Sequence, residues 1–181
     1  MDRELVERAR SGDQDAFELL AAGIVDHLYG VARLVLRDAD RAEDAAQEAL
    51  VRCWRDLPTL READRFDAWL GRILMHAIND EFRRAARFRA KIAVIVRDPS
   101  TPDASAATAD RELLDRGFAR LSIEHRSVVV LRLHIGLSIE ETATTLGIPV
   151  GTAKSRLHYA TEALRRALEA DATPRSQEVS A

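Results

Sequence analysis

From Gly136 to Leu168 the chain reads GLSIEETATTLGIPVGTAKSRLHYATEALRRAL, two helical periods around one glycine–proline break, and few folds accommodate that pattern. Ser138 suits an N-cap, and Glu141 three residues on completes a capping box. Ile139, Thr142, Ala143 and Leu146 give the first helix a buried stripe, and Gly147 supplies the turn. Pro149 suits the first position of the next helix, where its missing N–H costs nothing. There Ala153, Leu157, Ala160, Leu164 and Leu168 recur at three- and four-residue steps and define a core face. Lys154, Ser155, His158, Tyr159 and Arg166 fall opposite, as donors suited to phosphates and base edges in a major groove. The pattern is that of a helix-turn-helix. The competing description is an ordinary amphipathic helix with a solvated polar face.

The remaining composition extends the helical reading. Ala, Leu, Arg, Glu and Asp dominate, and aromatic residues make up only 5%. A length of 181 residues suffices for one domain or two small ones. The one cysteine, Cys53, excludes an internal disulfide and fits a reducing compartment. No apolar run approaches the roughly 20 residues that span a bilayer. The charged opening MDRELVERAR lacks the apolar core of a secretory signal. The predicted location is cytoplasmic, without membrane insertion.

The net charge of −3 conceals segregation. Residues 1–64 carry 9 basic and 15 acidic side chains, whereas 65–97 carry 8 and 3. Residues 98–125 are acidic again, 126–168 carry 6 basic and 3 acidic, and 169–181 are acidic. Two basic blocks between acidic ones predict two separate nucleic-acid contacts and at least one other partner.

Periodicity predicts a first helix over about 15–36, with Phe17, Leu20, Ile24, Leu28, Val31 and Val35 on one face. A second starts near Asp40, with Ala45, Ala46, Ala49, Leu50, Cys53, Trp54 and Leu57 as its core stripe, and Pro58 ends it. A third, about 67–89, buries Trp69, Leu70, Ile73, Leu74, Ala77, Ile78 and Phe82. Three such seams can close one bundle. Residues 97–110 are rich in Pro, Ser, Thr, Ala and Asp and read as a flexible linker. The apolar run Ile92–Val96 just before it suits a helix end, an extended segment or a cover for another surface. Leu113, Leu114, Phe118 and Leu121 then lead into a helix over Val128–Leu133, and the final ten residues read as disordered.

The second helix opens with Asp38, Asp40, Glu43, Asp44 and Glu48. Complementarity to the helix dipole accounts for Asp40, Glu43 and Asp44. Glu48, four residues after Asp44, repels it, which favours a docking face for a basic partner. On the third helix Arg72, His76, Asn79 and Arg83 form one polar stripe, extended by Arg84, Arg87, Arg89 and Lys91. Such a stripe can follow a phosphate backbone. Catalytic readings fare poorly. The five histidines are scattered, no ligand set has zinc spacing, and neither a phosphate loop nor a nucleophile elbow is present. Cys53 lies on a core stripe, as a small buried hydrophobe. No enzyme, metal or cofactor is predicted.

Taken in order, LVERARSGDQDAFELL, RDADRAEDAAQEALVRCWRDL, FDAWLGRIL and ARLSIEHRSVVVLRLHIGLSIEETATTLGIPVGTAKSRLHYATEALRR resemble a group 4 (extracytoplasmic-function, ECF) sigma factor of the sigma-70 family, over about residues 5–168. The resemblance implies an all-α protein of two small helical domains. Residues 1–95 would form sigma domain 2, 96–109 a flexible linker, 110–170 the helix-turn-helix sigma domain 4, and 171–181 a disordered tail. It implies docking on the clamp helices of the largest core RNA polymerase subunit through Asp40, Glu43, Asp44, Gln47 and Glu48. The loop Pro58–Phe66 (Thr59, Arg61, Asp64 and Phe66) would capture a flipped base of the −10 non-template strand. Arg72, His76, Asn79 and Arg83 would track that strand, and Thr152, Lys154, Ser155, Arg156, His158 and Tyr159 would read the −35 duplex. An anti-sigma factor is a further implied partner. The chain departs from the family pattern at Gly71, usually aromatic, His76, usually Asn, Ala153, usually Val, and Tyr159, commonly Arg. The alternative is a stand-alone helix-turn-helix regulator, which would need no acidic docking face and would usually dimerise on a palindrome.

Overall fold

The computed structural model describes residues 2–92 and 116–172. The linker, the run beyond Ile92, Leu113, Leu114 and the tail beyond Ala172 lie outside the described residues. The described residues are helical, with turns and without strands.

Three aspartates start the first three helices. Asp2 caps α1 (Arg3–Arg10) by accepting from the Glu4 N–H at 3.0 Å. Asp13 caps α2 (Gln14–Leu36) through the Ala16 N–H, and Asp38 caps α3 (Ala39–Asp56) through the Arg41 N–H. Each cap satisfies a backbone donor that the first turn leaves orphaned. Between α2 and α3 the chain turns on Arg37, in the left-handed region at φ 56°. Two 3-10 turns, Leu57–Thr59 and Ala63–Arg65, lead into α4 (Phe66–Ile92). After a helical turn at 116–119, α5 (Ile123–Val129) widens into a π turn over Val130–His134. Then α6 (Ile139–Leu146) and α7 (Val150–Ala172) follow.

The predicted seams are largely the observed ones. Leu20, Ile24, Leu28, Val31 and Val35 of α2 are buried against α3 and α4, with Leu70, Leu74, Ala77 and Ile78 opposite. Burial of each such large side chain stabilises by about 1.5–3 kcal/mol. Several expectations need correction. Trp54 is 47% exposed and meets Phe17 edge-on at 4.5 Å, because its position lies at the rim of the α2–α3 seam. Helix α1 was not predicted, yet its Val6 and Ala9 close one end of the bundle. Met75 is fully buried although it was absent from the predicted stripe. The helix expected over Val128–Leu133 instead begins at Ile123 and ends as the π turn, and α7 runs two residues into the predicted tail. By length and mean hydropathy (1.6), α2 is also long and apolar enough to cross a membrane, contrary to the reading of short apolar runs; it is apolar because α1, α3 and α4 pack on it.

The largest departure concerns the two halves. Ile123, Val130, Leu131 and Leu137 belong to the same buried core as α2 and α4. A smaller cluster, Leu121, Val129 and Ala160 with Phe118, Leu157 and Leu164, holds α5 to α7. The C-terminal unit therefore has a small core of its own and is seated on the N-terminal bundle.

Candidate nucleic-acid interface

The helix-turn-helix forms as its sequence dictates. Ser138 accepts from the Glu141 N–H at 3.1 Å while the Glu141 carboxylate accepts from the Ser138 N–H at 3.0 Å, a complete capping box. Gly147 ends α6 at φ 64°, where a side chain would be strained. Ala153, Ala160 and Ala167 are the buried contacts of α7, and their small size lets the helix lie close to α5 and α6. Lys154, Ser155, His158 and Tyr159 are exposed on the outer face. Thr152 and Arg156 are half-buried, and Arg156 lies in the field of Glu124, so Arg156 also serves the unit's own electrostatics.

Tyr159 is 62% exposed but not loose. Its ring lies 4.7 Å from that of His125, whose Nδ1 is 2.8 Å from the Ser122 hydroxyl at the start of α5. His125 and Ser122 were missed in the sequence, since nothing local links residue 125 to residue 159.

The predicted −10 residues divide. Thr59, Arg61, Asp64, His76 and Arg83 are exposed, and Arg72 and Asn79 are half-buried on α4. Phe66 is not on this surface. It is 1% exposed, inside the main core and tilted against Trp69 at 5.9 Å, so its ring is a packing element at the start of α4. The loop before it is pinned from α1: Arg10 donates to the Leu60 and Arg61 carbonyls at 3.1 and 3.0 Å, and Arg3 pairs with Asp64 at 3.2 Å. Thr59 donates its hydroxyl to the Asp56 carbonyl at 2.6 Å, which leaves its oxygen able to accept. Arg10 and Arg3 were also missed, lying some fifty and sixty residues from their partners.

All five residues of the predicted docking face, Asp40, Glu43, Asp44, Gln47 and Glu48, are exposed along α3. The expected repulsion at Glu48 is relieved, because Arg52 donates to it at 2.7 Å and to Asp80 of α4 at 2.9 Å. Arg52 thereby couples the acidic helix to the polar stripe of α4. Cys53, on the opposite side of α3, is buried, and that burial, with Asp56 nearby, pushes its thiol up to about 12. Among the described residues no three His, Cys, Asp or Glu side chains converge on a metal position.

An acidic helix bridged to a basic one, with a helix-turn-helix beside them, is the layout of a sigma-70-type initiation factor. Residues 22–88 match the model for sigma-70 region 2, and residues 117–166 match that for sigma-70 region 4. The ECF RNA polymerase sigma factor SigL of Mycobacterium tuberculosis is 40% identical, over 83% of this chain and 89% of that protein. The RNA polymerase sigma-H factor of Pseudomonas aeruginosa is 32% identical, over 93% of this chain and 94% of its own length. Among solved structures, CnrH in complex with the cytosolic domain of CnrY is 31% identical, with a TM-score of 0.59 over 94% of this chain and 98% of CnrH. The fold of Bartonella quintana RpoE, bound to the anti-sigma factor NepR, matches with a TM-score of 0.68 at 24% identity, over 86% of this chain and 98% of RpoE. The chain belongs to the ECF sigma factors, which bind core RNA polymerase and direct it to promoters.

Proposed function

We propose a division of labour within that activity. Residues 1–95 dock on core polymerase and open the −10 element, 96–109 connect, and 110–170 read the −35 duplex. Asp40, Glu43, Asp44, Gln47 and Glu48 meet the basic partner surface on polymerase. Thr59, Arg61 and Asp64 line the base-capturing loop, and Arg72, His76, Asn79 and Arg83 follow the non-template strand. Lys154, Ser155, His158 and Tyr159 face the groove, flanked by Thr152 and Arg156.

The observation that carries this reading is the Arg52 bridge between the acidic helix and the strand-tracking helix. It makes polymerase docking and −10 placement properties of one rigid pair. Melting is then offset by backbone contacts and by stacking of unpaired bases. The protein acts in the cytoplasm and without chemistry of its own, since charge, shape and stacking suffice for each step. An anti-sigma factor holds it in check; support comes from CnrH, which resembles it over nearly its whole length and is bound to the cytosolic domain of CnrY.

Reconstitution with core polymerase tests the assignment. The expected result is promoter-specific run-off transcription that depends on the acidic face. If the chain ignores core polymerase yet binds duplex DNA as a dimer, the initiation reading fails.

A further inference from the structure

The chain carries Tyr159 where its family commonly has Arg. A tyrosine reads a base only if its ring is aimed, because a free side chain spreads over several rotamers. Ala160, completely buried, sets α7 against Leu121 and Val129 in the small core of the C-terminal unit. Its neighbour Tyr159 is exposed, and its ring meets the first turn of α5.

That turn holds a polar network. The His125 and Tyr159 ring centroids are 4.7 Å apart, with the planes inclined at 39°. His125 Nδ1 lies 2.8 Å from the Ser122 hydroxyl. Ser122 occupies the N-cap position of α5, yet its side chain makes no capping bond, so its hydroxyl is left for this network. The same hydroxyl is the first of the groups that hold the Glu124 carboxylate below its ordinary range, and Arg156 of α7 contributes as well. A serine has one proton to give. Given to Glu124, it leaves the Ser122 oxygen to accept from the His125 Nδ1–H. The imidazole is then anchored at one edge while its ring meets Tyr159.

The competing role for His125 is plain packing. A core histidine would lie buried among apolar side chains, whereas His125 is half-buried, Tyr159 is exposed, and neither belongs to a core cluster. So exposed a ring pair adds little to folding. What it does is restrict where the Tyr159 ring points.

From this geometry we infer that His125, anchored by Ser122, is a positioning residue that aims Tyr159 at the −35 duplex, so that α5 as well as the recognition helix α7 sets promoter preference. Tyr159 offers the duplex a ring for a thymine methyl and a hydroxyl for one base-edge donor or acceptor. An aromatic pair weights one rotamer over the others by about two- to tenfold, which bounds the effect. The inference rests on the assignment of α7 to the −35 groove proposed above.

Holoenzyme made from core polymerase and the full chain tests it, on promoter fragments randomised across the −35 element, with the bound fraction sequenced. Tyr159→Ala marks the base position that the ring reads. His125→Asn keeps an N–H for Ser122 and removes the ring. It should flatten preference at that same position by about two- to tenfold and leave the other positions as they are. His125→Phe keeps a ring without the tether and should fall between His125→Asn and wild type. Salt dependence should be equal in all of them, since no phosphate contact is lost. Wild-type preference in His125→Asn overturns the inference, and so does an equal loss at every −35 position, which marks a merely structural role. An unaltered preference in Tyr159→Ala overturns it too. If the wild-type holoenzyme initiates but shows no preference anywhere in the −35 element, the groove assignment itself is wrong.

Discussion

Arg65 and Glu141, 76 residues apart, meet at 3.0 Å across the seam between the two helical units. The same carboxylate closes the capping box on Ser138, so one residue folds the helix-turn-helix and ties it to the −10 loop. The Ser138 N–H and hydroxyl, then Arg65 and Arg72, hold Glu141 below the usual carboxylate range.

These two tasks separate by substitution. Ser138→Ala removes the cap and should cost about 1 kcal/mol in urea unfolding. Glu141→Gln can still accept from the Ser138 N–H, as capping boxes allow, but loses the charge that Arg65 and Arg72 feel. Its unfolding midpoint should therefore move less, while scattering should show a larger radius. Equal loss of stability in both variants would argue against the dual role.

Phe66 distinguishes packing from base capture. Phe66→Ala should destabilise by about 3–5 kcal/mol, the cost of emptying an aromatic core site. Phe66→Leu, which fills most of that volume, should keep both the fold and promoter opening, followed by permanganate reactivity of unpaired thymines. Loss of opening in a fully folded Phe66→Leu protein would return the ring to the DNA surface.

The seam should respond to acid through His27. Burial first, then His134, lowers the His27 pKa, while Asp67 pulls it upward. The seated form thus binds fewer protons than the open one. Its stability is whole above the ordinary histidine value, about 6.5, and declines as pH falls from there through the lowered value. The radius of gyration should rise from about pH 7.5 to pH 5.5, and His27→Gln should flatten that response. A flat wild-type profile sinks the idea.

On the groove face, Lys154→Ala should weaken −35 duplex binding by about 1–3 kcal/mol with altered preference at one position if it reads a base. Uniform weakening on all sequences marks a phosphate contact instead. His125→Ala frees the Tyr159 ring and should broaden sequence preference without changing the salt dependence, whereas losing a phosphate contact would change that slope. Competition binding at two salt concentrations reads both.

On the docking face, Asp44→Lys should abolish polymerase binding and leave duplex binding intact. Arg52→Ala should leave the acids in place yet reduce promoter opening more than polymerase affinity, because it cuts the bridge to Asp80. Pull-down and opening assays on the two variants separate docking from positioning; identical profiles would reject the bridge.

Helices α2, α3, α4, α6 and α7, the capping box, the αL glycine and the outward faces of α3 and α7 were legible in the residues, whereas α1 and the π turn after α5 were not. Each legible feature depends on spacing within a few turns, and spacing is what a sequence displays. Trp54 was misplaced because periodicity assigns a face but not how far the neighbouring helix reaches. The family resemblance placed Phe66 on the DNA side, and the packing of α4 against the bundle put it inside.

The sequence alone therefore determined the helical units, their caps and the charge that each face presents, because local geometry and solvation suffice for those. Tertiary structure alone decided that Arg52 joins two working helices, that Arg10 holds the loop, and that Gly71 and Arg65 receive Ile135 and Glu141. Those pairings span 28 to 76 residues or arise between separate units. No local period encodes them, and only the shared core that brings α5 and α6 onto α2 and α4 makes them neighbours.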